Sequence, residues 1–219
     1  MTLQELSQLV SLGEGLHLEF KRKVPRPERF AKEIIALANT RGGRVLIGVD
    51  DDGTLAGVRD AEEEEYALHQ ALLGRCDPPV DVTTERVPVS RKRNVILVTV
   101  PESKQKPHFL VDGEGTNGEK NRPTAYVRVK DMSEEASREA RRLMREEQRE
   151  RDVLFEFGQN EQMLLRYLDS YGRITVRQFA RLADIPRRRA SQTLVLLTRA
   201  GVLRLHPNLG DDYFTLAAE

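Results

Sequence analysis

Residues 16–53 carry an order of signals that few folds accommodate: an alternating run, a helical run, a double glycine, an apolar run and an Asp-Gly pair. In Leu16-His17-Leu18-Glu19-Phe20 apolar and polar residues alternate with period two, the pattern of a half-buried strand. Pro25 and Pro27 close it. Phe30, Ile34, Leu37 and Ala38 then recur at helical spacing as far as Gly42-Gly43, a helix stop. The apolar residues 45–49 read as a buried strand, and Asp52-Gly53 as a hairpin turn. The order strand, helix, strand, hairpin calls for a mixed sheet flanked by helices.

The chain around this segment continues the pattern. Leu3, Leu6, Leu9 and Val10 predict an N-terminal helix. Residues 62–73 read as a helix broken by Asp77-Pro78-Pro79. Residues 80–89 and 94–100 are strand-like, 112–123 read as a mobile loop, and 125–129 as a further strand. A helix is expected to start near Ser133, with Ser133-Glu134-Glu135-Ala136 as a partial cap. The mixed charges of residues 138–152 suit a solvated face. Met144, Val153, Leu154, Phe155 and Phe157 are the residues there that could meet a partner subunit. A domain boundary is expected near residue 156, giving domains of 1–155 and 156–219.

Thr175 caps a helical run at residues 176–182, Pro186 opens another that stops at Gly201, and residues 162–168 precede them as a first helix. Two short strand-like runs, 202–205 and 213–216, flank Pro207-Asn208-Leu209-Gly210-Asp211-Asp212. This tail resembles a winged helix-turn-helix. The fold class is therefore α+β, a mixed sheet with flanking helices plus a small C-terminal winged-helix domain.

Length, charge and cysteine usage narrow the function. At 219 residues with 39% hydrophobic and 32% charged residues, one large or two small domains can form beneath an ionic surface. No apolar run spans a bilayer and no signal peptide is evident, so a cytoplasmic protein with no membrane partner is expected. Cys76 is the only cysteine, which excludes an internal disulfide. The net charge is zero, yet it is zoned. Between Phe20 and Val45 eight basic residues stand against two acidic ones, and the balance reverses between Asp50 and Glu65, with eight acidic residues against Arg59. Lys21, Arg22, Lys23, Arg26 and Arg41 are the candidate nucleic-acid contacts there.

In a helix-turn-helix the third helix enters the major groove with its first residues. Here these include Arg187, Arg188, Arg189 and Gln192; arginine suits guanine edges or phosphates, and glutamine suits adenine. DNA or RNA is the expected partner. A homodimer matches two-fold operators. Asn39-Thr40-Arg41-Gly42-Gly43 could cradle a phosphate through glycine amides, or serve only as a helix end and strand entry. It lacks the lysine and hydroxyl of a P-loop, so ATP is not expected.

The blocks Glu14-(four residues)-Glu19-Phe20-Lys21, Ala36-Leu37-Ala38-Asn39-Thr40-Arg41-Gly42-Gly43 and Ile47-Gly48-Val49-Asp50-Asp51-Asp52-Gly53 resemble the Schlafen AlbA-type domain. Pro107-His108 and Tyr126-Val127-Arg128 extend the likeness more weakly. The resemblance implies nucleic-acid binding, in many prokaryotic members regulatory. It also implies an alternative, a metal-dependent endoribonuclease whose three carboxylates fall on Glu14, Glu19 and Asp51, with Lys21 beside them. Such carboxylates can hold Mg²⁺ or Mn²⁺ and stabilise charge on a phosphodiester. They converge only if Gly13 or Gly15 bends the chain, because on one strand they point to opposite faces. The leading expectation is a DNA-binding transcriptional regulator; the rivals are the nuclease and a protein-interaction adaptor.

Overall fold

The computed structural model describes residues 1–111, 122–147 and 157–217, which divide into two compact units, Met1–Glu135 and Ala136–Glu219. The first unit runs α1 (Leu3–Val10), β1 (Leu18–Lys21), α2 (Pro27–Asn39), β2 (Gly43–Ile47), α3 (Ala61–Leu72), β3 (Cys76–Asp77), β4 (Thr83–Ser90), β5 (Arg93–Val100), β6 (Phe109–Leu110), β7 (Tyr126–Val129) and β8 (Met132–Glu135). Its main sheet has the order β1-β2-β5-β4. β1 and β2 are parallel, as the α2 crossover requires, and the other pairs are antiparallel. The sheet is thus mixed.

Both faces of this sheet are covered, and strand alternation decides which side chain goes where. Val45, Ile47, Ile96 and Val98 pack beneath α2 and α3 with Phe30, Ile34, Leu37 and Leu68. Leu18, Phe20, Leu46, Val95 and Leu97 turn the other way, against Leu6 and Val10 of α1. Glu19 and Lys21 sit opposite Val45 and Ile47 in register and so belong to the α2 face.

The end of α2 fixes a second layer. Asn39 donates from Nδ2 to the carbonyls of His108 and Tyr126, and its Oδ1 accepts the His108 amide at 2.8 Å. Thr40 Oγ1 accepts the Arg128 amide. These bonds hang the β7–β8 hairpin from the helix end.

Two local expectations differ in detail from the structure. Asp52-Gly53 does reverse the chain, with Gly53 donating to Asp50 O, Asp50 to Thr54 O and Gly57 to Gly48 O, but no strand follows the turn, and β2 already has β1 on one edge and β5 on the other. Ser133 lies in β8, paired with Arg128, instead of starting a helix. The helix begins after Ser137, whose Oγ accepts the Ala140 amide at 3.0 Å.

The second unit runs α4 (Arg138–Glu147), α5 (Gln159–Tyr171), β9 (Ile174–Thr175), α6 (Val176–Leu182), α7 (Arg187–Arg199), β10 (Leu203–His206) and β11 (Tyr213–Leu216). Thr175 and Gln178 form a reciprocal cap on α6. Leu164, Leu168, Ile174, Phe179, Leu194, Leu197 and Phe214 make its core. The strand order is β10-β11-β9, all antiparallel. The boundary expected at 155/156, the residues Val153, Leu154 and Phe155, and most of the loop 112–123 lie outside the described residues. The contact division falls earlier than the expected boundary, because α4 packs on α7.

Candidate nucleic-acid interface

The parallel pairing of β1 with β2 brings His17 beside the Gly42-Gly43 turn. His17 O accepts the Arg44 amide at 2.9 Å, and His17 Nδ1 lies 3.0 Å from Gly42 O. The approach leaves no room for side chains. A Cβ on Gly43 would stand 2.8 Å from His17 O, and one on Gly42, whose φ is +69°, 2.6 Å from Val100 O. The Gly42 amide donates to Leu37 O. Both the Gly42 and Arg44 amides are therefore engaged by the fold.

What faces outward at this turn is side-chain charge. His17, Arg41 and Arg44, all exposed, line a cleft of about 510 Å³ floored by Leu9, Leu18 and Val100 and flanked by Glu14 and Glu102. Among the described residues neither arginine has an acidic partner within salt-bridge distance, and Glu102 is held by Lys106 at 2.6 Å. Two unneutralised guanidiniums beside an imidazole form an anion-attracting surface.

The rest of the basic stretch divides among other tasks. Arg22 binds Asp50 Oδ1 at 2.6 Å, Arg29 reaches Glu33 at 3.4 Å, and Lys32 lies over the Tyr126 ring. Lys23 and Arg26 are exposed at the far end of β1 from the cleft. The stretch is not one patch.

Lys21 is enclosed. Its ammonium donates to Glu19 and to Phe20 O, and lies 3.6 Å from Glu33. On the other side of Glu19, the guanidinium of Arg128 donates to Glu19 Oε2 at 2.9 Å and Gly15 O at 2.7 Å. Glu19, Glu33 and Arg128 are 7%, 6% and 2% exposed. Among the described residues Glu33 Oε2 and Arg128 Nε have no hydrogen-bond partner. Burial pushes the Glu33 carboxyl above its ordinary range; Lys21 opposes the rise and Glu19 adds to it. Two acids and two bases thus balance inside the sheet's α2 side.

This placement separates the carboxylates read together in the sequence. Glu19 faces α2, whereas Glu14 and Asp51 line a different cleft with Ser7, Val10 and Phe20 on the α1 side. Glu14 Oε1 accepts the Phe20 amide at 2.8 Å. Gly13 does turn the chain, with φ +73°, but the turn carries Glu14 away from Glu19's face. Among the described residues no three His, Cys, Asp or Glu side chains are placed to hold a metal ion.

Arg128 and Glu33 were not singled out as functional in the sequence. Strand alternation around Arg128, between Val127 and Val129, predicts a solvent-facing side chain. The only available signal was its place in the Tyr126-Val127-Arg128 block.

In the second unit Arg187, Arg188, Arg189 and Gln192 are all exposed on the first turns of α7. Ser191 Oγ donates to Glu139 of α4 at 2.5 Å, and Arg199 pairs with Glu146 of α4 at 3.2 Å. On the antiparallel sheet His206 stacks on Tyr213, centroids 4.9 Å apart, and Arg173 lies over the Tyr213 ring. Burial, and then Arg204, hold the His206 imidazole below its ordinary range. Phe157 is exposed, while Met144 is buried.

The family model described as Schlafen, AlbA_2 matches residues 14–137, more than half of the chain. No curated protein matches. Among solved structures the chain is similar to the DIP2311 protein from Corynebacterium diphtheriae, at 22% identity and a TM-score of 0.41, over 63% of this chain and 25% of that one. It spans about a quarter of that protein's length. No helix among the described residues is long and apolar enough to cross a membrane.

Proposed function

Because the chain belongs to the Schlafen AlbA_2 family, we propose that it is a nucleic-acid-binding protein whose first unit grips a phosphate backbone at the cleft of His17, Arg41 and Arg44. The observation that carries this reading is the pair of exposed arginines, without acidic partners among the described residues, on either side of the Gly42-Gly43 turn. Phosphate contacts of this kind position a protein without reading sequence. Sequence preference would come from the second unit, read as a winged helix, through Arg187, Arg188, Arg189 and Gln192. The chain is then a DNA-binding transcriptional regulator of the cytoplasm, acting as a homodimer on two-fold sites.

The nuclease alternative asks Glu14, Glu19 and Asp51 to share one centre. Their placement on two sides of β1, with Glu19 already engaged by Lys21 and Arg128, gives it no support.

The test is binding of labelled duplex DNA and single-stranded RNA across a salt series, with Arg41→Ala/Arg44→Ala. Each lost phosphate contact lowers the salt slope on duplex DNA by about 0.9, so the double variant should lose about 1.8. An unchanged slope removes the cleft from the interface, and sedimentation of the free chain as a monomer removes the dimer.

A further inference from the structure

Helix α7 has one side in the core and another side occupied by α4. At about 100° per residue, Ala190, Leu194 and Leu197 form one stripe, which enters the core of the unit. Ser191, Val195 and Arg199 form a second stripe, well over a quarter turn away. In a helix-turn-helix that outward side is the one that lies against the major groove. Here it is covered. Ser191 donates to Glu139, Arg199 pairs with Glu146, and Val195 is fully buried although it lies away from the core stripe. Arg142 binds Glu146 from the α4 side at 2.8 Å, fixing that carboxylate in place.

We propose that α4 is an intramolecular competitor of duplex DNA: the carboxylates of Glu139 and Glu146 occupy on α7 the positions that phosphates would take, and α4 must leave before the helix can seat in a groove. The inference rests on the reading of α7 as the DNA-facing helix. The first turns, with Arg187, Arg188, Arg189 and Gln192 exposed, stay available in the covered state. They can make a first, electrostatic encounter while the deeper face is shut. The apparent affinity is then the intrinsic one reduced by the fraction of molecules with α4 displaced.

Full-length chain and labelled mixed-sequence duplex DNA suffice to test this by fluorescence anisotropy. Glu139→Gln/Glu146→Gln should tighten binding roughly tenfold, because two charge-assisted contacts holding α4 are weakened. Glu147→Gln/Asp169→Asn makes the same change in net charge at exposed positions and should move affinity far less. Ser191→Ala, which cuts one contact from the α7 side, is a second releasing variant and should tighten binding more modestly. A releasing variant that gains no more than the charge-matched control overturns the competitor. Arg187→Ala/Arg188→Ala/Arg189→Ala, introduced into the releasing variant, distinguishes the underlying reading: if it leaves affinity unchanged, α7 does not meet DNA at all. Added duplex should also speed amide exchange in residues 138–147, and slower or unchanged exchange there would sink the displacement.

Discussion

Arg128 offers the sharpest test of how the first unit is held together. Arg128→Met keeps a long apolar stem and removes the guanidinium, so Glu19 Oε2 and Gly15 O lose their donors in a site where Arg128 is 2% and Glu19 7% exposed. Lys21 remains on Glu19, and the cluster, previously two positive and two negative, is left one positive charge short. Removing one partner of a buried ion pair costs about 3–5 kcal/mol. Against a typical total of about 5–15 kcal/mol, that is a large fraction. With a urea dependence of about 1–3 kcal/mol per molar, the midpoint should fall by roughly 1–5 M. Urea unfolding followed by far-ultraviolet circular dichroism at pH 7 reads the shift directly. Glu19→Gln should be costly in the native background but should recover part of the loss when combined with Arg128→Met, because it removes the orphaned charge. A coupling energy of at least about 1 kcal/mol is expected from residues in direct contact. A midpoint unchanged in Arg128→Met, or additive effects in the double variant, would refute the claim that this cluster is electrostatically balanced.

Glu33 has a folded pKa raised by burial, so the stability tied to its proton is complete below the ordinary value of 4.5 and is lost as pH rises through the folded value; Glu33→Gln should flatten the decline in unfolding free energy on that rise. Gly43→Ala places a methyl 2.8 Å from His17 O and 2.7 Å from a Leu37 methyl, and should destabilise by about 1–3 kcal/mol in thermal or urea melts. Arg187→Ala/Arg188→Ala/Arg189→Ala in the native chain should reduce the salt slope on duplex DNA by up to about 2.7 if all three touch phosphates. Burial pushes the Cys76 thiol up to about 11, so its alkylation near pH 8 should follow the rate of opening, measured by mass spectrometry with and without urea.

Elements fixed by nearest neighbours were legible in the sequence. Thr175 and Gln178 announce α6 because the cap closes within three residues, and the double glycine after Leu37 marks a helix end because no side chain fits there. What depended on distant partners was not. Ser133 looks like a helix cap until Arg128 pairs with it across a hairpin. Glu19 looks like a metal ligand beside Glu14 until Arg128, 109 residues away, reaches it. The basic stretch was legible as composition, but Lys21, Arg22 and Arg29 find acids in the fold, leaving Arg41 and Arg44 in the cleft and Lys23 and Arg26 elsewhere. The charged run at residues 138–152 contains Ala140, Leu143 and Met144 at helical spacing, yet no local pattern says that α7 lies beneath them.

The Asn39 amide carries a chemical consequence beyond holding the hairpin. Two of its three bonds need N–H donors, to the carbonyls of His108 and Tyr126, and only one needs an acceptor. Deamidation, the slow hydrolysis that turns asparagine to aspartate, would therefore take the Asn39 donors from the carbonyls of His108 and Tyr126 and add a negative charge at a residue that is 4% exposed. The folded chain shields that amide, whereas each excursion to the unfolded state exposes it. Chemical ageing of a stored sample would in this way draw on its unfolded fraction, and the aged molecules would be the ones least able to return.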